Sequence, residues 1–465
     1  MWTIIFFLWF LSQLAGFGAL IHLLLSRKRT TSLVLWALWL LIFPALGIPL
    51  YLTIGSDRIR RRSIPSHPPG EHLEDPNAPL GSPEIAPLLQ NVSHLSGNTL
   101  TRASGLKLLP DTTTYYPHLL ESIDKAEKFV HIQTYVFRMD SAGDRLLEAL
   151  CRAAKRGVEV RLLVDEIGSA STRTRYFKPL IQAGGQFSWC MTVQPFRNRY
   201  FLNLRNHRKI QVIDGKIAYV GGMNFGVEYE GKDSEVGPWR DMQMSVRGPV
   251  VDALQTVFAT DWSFATEEWL ADRHYTGFSN DDANIPVTVV NSGPDEPDRS
   301  FLKTFIFTCN HAKERLDVFT PYFGPEESVI LAMQLAARRG VRVRMLIPTP
   351  NEHQYMVDIG RAHYEQLMED GVEVYEYHEA VHHGKVYIID DNLFVLGSTN
   401  LDARSLRINF ETTLLIEDRD TVAQLDKHYE VFFERAERIE LEKFRNQPLT
   451  DKLKQGISRL FVPIL

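Results

Sequence analysis

One pattern, written twice, constrains this chain more than any other feature. The first copy runs from Arg205 through His207 and Lys209 to Asp214, then on through Gly221, Gly222 and Met223 to Asn224. The second runs from Val381 through His383 and Lys385 to Asp390, then on through Gly397, Ser398 and Thr399 to Asn400. Both read His-x-Lys-x4-Asp, with an Asn ten residues after the Asp. One short match carries a real risk of chance. Two with the same downstream Asn and the same apolar filling imply an internal duplication. Each copy is rich in Val, Ile and Tyr after its Lys, so residues 209–213 and 385–389 are expected to be β-strands. Side chains alternate faces along a strand, which puts His207 beside Lys209 and His383 beside Lys385.

The duplication extends beyond the motifs. Residues 129–137 read as a strand, 143–156 as an amphipathic helix ending at Gly157, and 158–164 as the next strand. The second series is 316–323, 326–339 ending at Gly340, and 341–347. Residues 155–164, Lys-Arg-Gly-Val-Glu-Val-Arg-Leu-Leu-Val, are nearly repeated at 338–347 as Arg-Arg-Gly-Val-Arg-Val-Arg-Met-Leu-Ile. Strand, helix and strand with a Gly at the helix end make a βαβ unit. Further helices are expected at 176–183 and 362–370, and late ones at 250–264 and 421–437. The expected fold class is α/β, with two similar halves facing each other so that both motifs build one active site.

An imidazole next to a fixed cation suits a phosphoryl group: the Lys holds the charge while the His attacks or moves a proton. Asp214 precedes Gly215, and Asp390 precedes Asp391-Asn392, so each falls where its strand turns. Turn chemistry and a direct catalytic role are both open for these two acids.

The N-terminal 56 residues are a different material. Residues 4–25 are apolar except for Ser12, Gln13 and His22, a basic break follows at Arg27, Lys28 and Arg29, and 32–54 is largely apolar again. Each run is long enough for a hydrocarbon core of about 30 Å. The first lacks a basic n-region and a second follows at once, so the pair reads as a transmembrane helical hairpin rather than a cleaved signal. Pro44 and Pro49 could kink the second run or make it re-entrant. The four arginines Arg58, Arg60, Arg61 and Arg62 outnumber the three cations of the loop, which favours a cytoplasmic main domain. Residues 63–83, rich in Pro, Ser, Gly and His, read as a linker. The expected organisation is two transmembrane helices in 1–56, a linker in 57–98, a first half in 99–282 and a second in 283–465. Three scattered cysteines imply no disulfide framework. A net charge of −6 gives no global pull toward nucleic acid.

The duplicated His-Lys-Asp element resembles the signature of the phospholipase D superfamily, from about residue 99 to the C-terminus. Further stretches are similar to bacterial cardiolipin synthases: Thr320-Pro321-Tyr322-Phe323 with Pro325-Glu326, Gly221-Gly222-Met223-Asn224-Phe225-Gly226 with Glu228-Tyr229, Trp239-Arg240-Asp241, and Asn409-Phe410-Glu411. Val227 departs from that pattern, standing where an Asp is common. The resemblance implies two phospholipase D-like halves and a phosphatidyl transfer. One phosphatidylglycerol gives its phosphatidyl group to a histidine, and the glycerol of a second takes it, yielding cardiolipin and glycerol. It implies His207 as nucleophile and His383 as acid, with Lys209 and Lys385 among the catalytic residues. Asn224 and Asn400 join the lysines in holding phosphoryl oxygens. Asp241 and Glu411 belong to the same substrate site as acids that orient the histidines. No metal or other cofactor is implied. Phosphatidylglycerol and anionic membrane lipids are the expected partners, at the inner membrane, with no nucleic acid.

Water as acceptor would instead make a membrane-anchored phospholipase D or nuclease. A catalytically dead scaffold would lack a His or Lys in one half, and both halves are intact. The stretch 195–205 mixes Arg197, Arg199 and Arg205 with Phe196, Tyr200 and Phe201; it reads as a contact for anionic headgroups, a nucleic-acid platform or a plain loop. The apolar C-terminus, 457–465, either dips into the interface or docks on its own domain.

Overall fold

The computed structural model describes residues 2–26, 30–52, 81–95, 97–194, 199–200, 203–232, 237–270, 283–296 and 298–459. Outside them lie the basic break at 27–29, Arg58, Arg60, Arg61 and Arg62, most of the expected linker, Phe196, Arg197 and Phe201, and the last residues of the C-terminus, 460–465.

Each half is built on one mixed sheet. In the first, strand Phe129–Thr134 lies between the motif strand Ile210–Ile213, antiparallel to it, and Glu159–Asp165, parallel to it. In the second, Arg315–Phe319 lies in the same way between Val386–Ile389 and Arg342–Pro348. The first sheet has seven strands and the second nine. The helices between paired strands are Ser141–Lys155 and Glu327–Arg338. Both close alike, at Gly157 (φ 88°) and Gly340 (φ 95°), a left-handed conformation that favours Gly. The next amide then reaches back to the helix, Val158 to the Ala153 carbonyl and Val341 to that of Ala336, each at 3.2 Å. The duplicated sequence therefore encodes the same helix stop twice.

The inner faces of the two sheets share one core. Ile210, Val212, Ala218 and Val220 pack in it with Val386, Ile388, Phe394 and Leu396, joined by residues of the late helices Val250–Thr266 and Arg419–Arg435. The outer face of each sheet has its own apolar cluster under its own helices. Burial on both faces explains why the motif strands are almost wholly apolar rather than alternating; the exception, Gln211, is buried and accepts from the Tyr115 hydroxyl at 2.9 Å.

The sheets do not divide at 98/99. Thr99–Ala103 pairs antiparallel with Ile285–Ser292 and so joins the second half's sheet. Part of the expected linker, Ala86–Ser93, is a helix whose Leu88, Leu89 and Val92 are buried in the second half's core. Three apolar residues on one helical face outweigh the polar composition around them.

At the N-terminus, Trp2–Leu24 is helical. The second apolar run is not one helix but two, Thr30–Ile42 and Pro44–Leu50, broken at Phe43 (φ −130°, ψ 59°). Pro44 has no N–H and disfavours helical geometry in the residue before it. Leu23, Leu40 and Tyr51 form a small buried cluster here, and the Tyr51 hydroxyl meets His22 Nδ1 at 2.8 Å. Trp2, Phe6, Phe7, Trp9, Phe10 and Phe17 point outward and are more than half exposed. Among the described residues, no helix is long and apolar enough to cross a membrane.

Candidate active site

The two motif histidines are each stitched to the opposite half. The His207 amide donates to the Phe410 carbonyl at 2.9 Å, and the His383 amide to the Arg240 carbonyl at 2.6 Å. Val381–His382 also pairs in parallel with Trp239–Arg240. The residue after each acceptor is an acid, so this backbone register sets Glu411 opposite His207 and Asp241 opposite His383. His207 Nδ1 lies 2.9 and 3.0 Å from the two Glu411 oxygens, and His383 Nδ1 lies 2.8 Å from Asp241 Oδ2. A carboxylate accepts, so each Nδ1 carries the hydrogen and each Nε2 is left toward the cleft.

The acids are themselves held. Ser398 and Ser405 hydroxyls donate to Glu411 at 2.5 and 2.8 Å, and the Asp241 carboxylate accepts the Met242 amide at 2.7 Å. A side chain at Gly222 would collide with the Asp241 carboxylate. Asp241 and Glu411 are buried behind the imidazoles and do not line the cleft, so their place in the substrate site is indirect.

Lys209 and Lys385 are buried at the same depth. Lys209 Nζ donates to the His207 carbonyl at 2.7 Å and faces the Tyr135 ring at 5.3 Å. Lys385 Nζ lies 2.9 and 3.0 Å from the two ring nitrogens of His383. Burial is the largest influence on both imidazoles. It pushes His207 down to about 4, with Glu411 opposing, and His383 down to about 3, with Lys385 assisting and Asp241 opposing. Lys385 is pushed down to about 8 and Lys209 well below its ordinary value, again chiefly by burial. Burial works to raise Asp241 and Glu411, but the imidazole and ammonium beside each outweigh it, so both stay below their ordinary values.

Between the halves lies a cleft of about 780 Å³. His207, His383, Asn224 and Asn400 all line it. Asn224 Oδ1 accepts the Val136 amide at 3.1 Å, which leaves its amide nitrogen as a donor. Tyr135 and Tyr322 flank the two imidazoles, their rings 4.9 Å from His207 and 6.0 Å from His383. A Thr stands at the strand end in the first half and just past it in the second, and each donates to a carbonyl two residues on, Thr134 to Val136 and Thr320 to Tyr322. This bend delivers the tyrosines to the cleft. Tyr322 stood in a stretch already marked by sequence; the role of Tyr135 had no separate signal. His382 packs away from the cleft against Phe319, Tyr429 and Phe432, as strand alternation requires.

Asp214 and Asp390 sit elsewhere. Each is in a hairpin turn at positive φ, 55° and 51°. Asp214 accepts the amides of Glu127, Lys128 and Phe129, and Asp390 those of Lys313, Glu314 and Arg315. A strand of four residues separates each from its Lys, five residue steps or about 16 Å at 3.3 Å per residue. Neither lines the cleft, so turn chemistry, not contact with substrate, is what the geometry offers them. At Val227, the departure from the family pattern, the amide is capped by Asp140 at 2.9 Å.

Comparison with known proteins gives the family and the fold. The family model described as cardiolipin synthase, PLD-like domain matches residues 119–262 and 306–432. A cardiolipin synthase from Alkalihalophilus pseudofirmus is 32% identical over 95% of this chain and 90% of its own length. One from Clostridium perfringens is 30% identical over 95% and 96%. The crystal structure of phosphatidylserine synthase from Haemophilus influenzae superposes with a TM-score of 0.60 at 15% identity, over 82% of this chain and all of that one. The matched segments are the two halves that carry His207 and His383, and the chain belongs to the cardiolipin synthase, phospholipase D-like domain family.

Proposed function

We propose that the protein is a phosphatidyltransferase that joins two phosphatidylglycerols into cardiolipin and free glycerol. One observation carries the reading: two imidazoles from different halves face one cleft, each held by a buried acid of the opposite half. In the first step His207 Nε2 attacks phosphorus, the bond to the glycerol oxygen breaks, and His383 gives that oxygen a proton. In the second step His383 takes the proton of a second phosphatidylglycerol's hydroxyl, the oxygen attacks phosphorus, and the bond to His207 breaks. The substrate charge completes the site. A phosphodiester anion offsets the two ammonium groups, which lifts His383 toward the protonated form its acid role needs. The amide of Asn224 holds a phosphoryl oxygen, and Lys209 and Lys385, buried beneath the histidines and outside the cleft lining, supply positive charge behind it as charge shifts. Asp241 and Glu411 orient the rings, and Asp214 and Asp390 brace the turns.

The N-terminal helices fit a seat in the membrane surface or interior, with the catalytic halves on the cytoplasmic side. Their row of exposed Trp and Phe supports this, because such side chains are stable in an apolar or interfacial medium.

The test is a product assay with labelled phosphatidylglycerol in detergent micelles, beside His207→Ala and His383→Ala. Cardiolipin plus glycerol from the wild type, absent in both variants, is the expected result. Phosphatidic acid as the main product would make water the acceptor and replace this reading with a hydrolase.

A further inference from the structure

The duplication is broken by charge at one matched position. Four residues after the motif Asn stand Glu228 in the first half and Arg404 in the second. Both line the cleft, so its two ends differ in sign although the backbone repeats. Arg404 is held by Asn203, at 2.9 and 2.8 Å. Glu228 pairs with Arg138 at 2.8 Å and is joined by Glu352, which reaches the same end from the second half.

This acidic end belongs to His383. Tyr229 packs against Trp239 at 5.0 Å, and Trp239 against His383 at 5.0 Å. Glu352 lines the cleft and is exposed to solvent there. Partial burial and then Glu228 raise its pKa, while Arg138, Lys385 and Tyr322 oppose. Glu352 forms no ion pair among the described residues. Asn400, only 3% exposed, lines the same cleft with its side-chain oxygen lacking a hydrogen-bond partner. A phosphodiester brings only acceptor oxygens and would be repelled here. Hydroxyl groups bring a donor for the unpartnered Asn400 oxygen and further donors for the two carboxylates, which already accept from Arg138 and Tyr322.

We propose that Glu352, with Glu228 and the Asn400 oxygen, forms a polyol subsite on the His383 side of the cleft. Its ligand is the glycerol headgroup, which leaves in the first step and enters in the second. The inference rests on the phosphatidyl-transfer reading above and adds what selects the acceptor. A hydroxyl that matches a charged acceptor is distinguished from one that is absent by roughly tenfold to a hundredfold.

The experiment gives the full-length enzyme labelled phosphatidylglycerol with free glycerol and 1-propanol at equal concentration. Three products are counted: phosphatidylglycerol formed by exchange, phosphatidylpropanol and phosphatidic acid. The wild type is expected to favour glycerol by at least about tenfold. Glu352→Gln should bring the glycerol-to-propanol ratio most of the way to parity, and Glu352→Asp should restore part of it. A purely structural role would lower both products together and leave the ratio unchanged, which overturns the subsite. A wild type without preference overturns it as well. A wild type that makes only phosphatidic acid overturns the transfer reading, a separate result from a failed subsite.

Discussion

Glu411→Gln isolates the charge behind His207. The acid is fully buried, with its two oxygens 2.9 and 3.0 Å from Nδ1 and two serine hydroxyls donating to them. Glutamine fills nearly the same volume and keeps one acceptor for the ring. It replaces the other oxygen with an amide that faces a serine instead of accepting from it. The larger effect is loss of charge. When His207 bonds to phosphorus its ring becomes cationic. At about 4 Å between charge centres and an effective dielectric near 20, the missing attraction is about 4 kcal/mol. Some of that is recovered by relaxation, so the transfer rate should fall by roughly a hundredfold to a thousandfold. Glu411 also holds the His207 pKa up against burial, so the variant's free imidazole should titrate below the present value of about 4. Initial rates of cardiolipin formation at saturating phosphatidylglycerol measure the first effect, and a melting curve confirms that the fold survives. A rate within about threefold of the wild type would refute the reasoning, because a charge touching the reacting ring cannot be that cheap to remove.

Lys385, at about 8 in the free enzyme, should lose its charge as pH rises, so kcat/KM is expected to decline above about pH 8; a profile flat to well above that value contradicts a charged Lys385 in the step. Folding stability should move the other way. The unfolded histidines titrate near 6.5 and the folded His207 and His383 at about 4 and 3, so acid unfolding should set in as pH drops through that window, by about 1.4 kcal/mol per unit for each ring. Chemical denaturation between pH 7 and 5 measures this, and a constant midpoint would contradict it. Asp390→Ala leaves three amides without their acceptor and puts Ala at positive φ, which should cost about 2–4 kcal/mol and lower Tm with little change in rate. An unchanged Tm with a hundredfold slower rate would return Asp390 to the chemistry. Replacing Phe6, Phe7 and Phe10 together with Ser removes about 2 kcal/mol of apolar burial per side chain and should strip the protein from floated vesicles; unchanged flotation refutes the membrane seat.

Much of the fold was legible because it is written twice. The helices and second strands of the βαβ units, their helix stops at Gly157 and Gly340, and the motif strands appear within a residue or two of their expected bounds, while the first strands end three and four residues early. The errors fall where local signals were weak or conflicting. The bends after Thr134 and Thr320 shorten two strands, since a hydroxyl bond to a nearby carbonyl leaves no periodic trace. Residues 82–103 looked like linker and first half, yet they fill the second half's core and sheet edge. The second apolar run looked continuous in hydropathy, and only the backbone rule for Pro44 divides it.

The sequence by itself picked out the candidates for the chemistry: two His-Lys pairs and two Asn at identical spacing, and one acid further on in each half, 34 residues after His207 and 28 after His383. It also carried the unequal pair Glu228 and Arg404 in plain view. What only the tertiary structure decided is who serves whom. His207 is held by Glu411 and His383 by Asp241, across the interface, because the amide of each histidine is bonded to the carbonyl that precedes the opposite acid. Spacing along a chain fixes which face a side chain takes. It does not fix which strand of another half lies against it, and that register depends on how two apolar sheets close over their shared core.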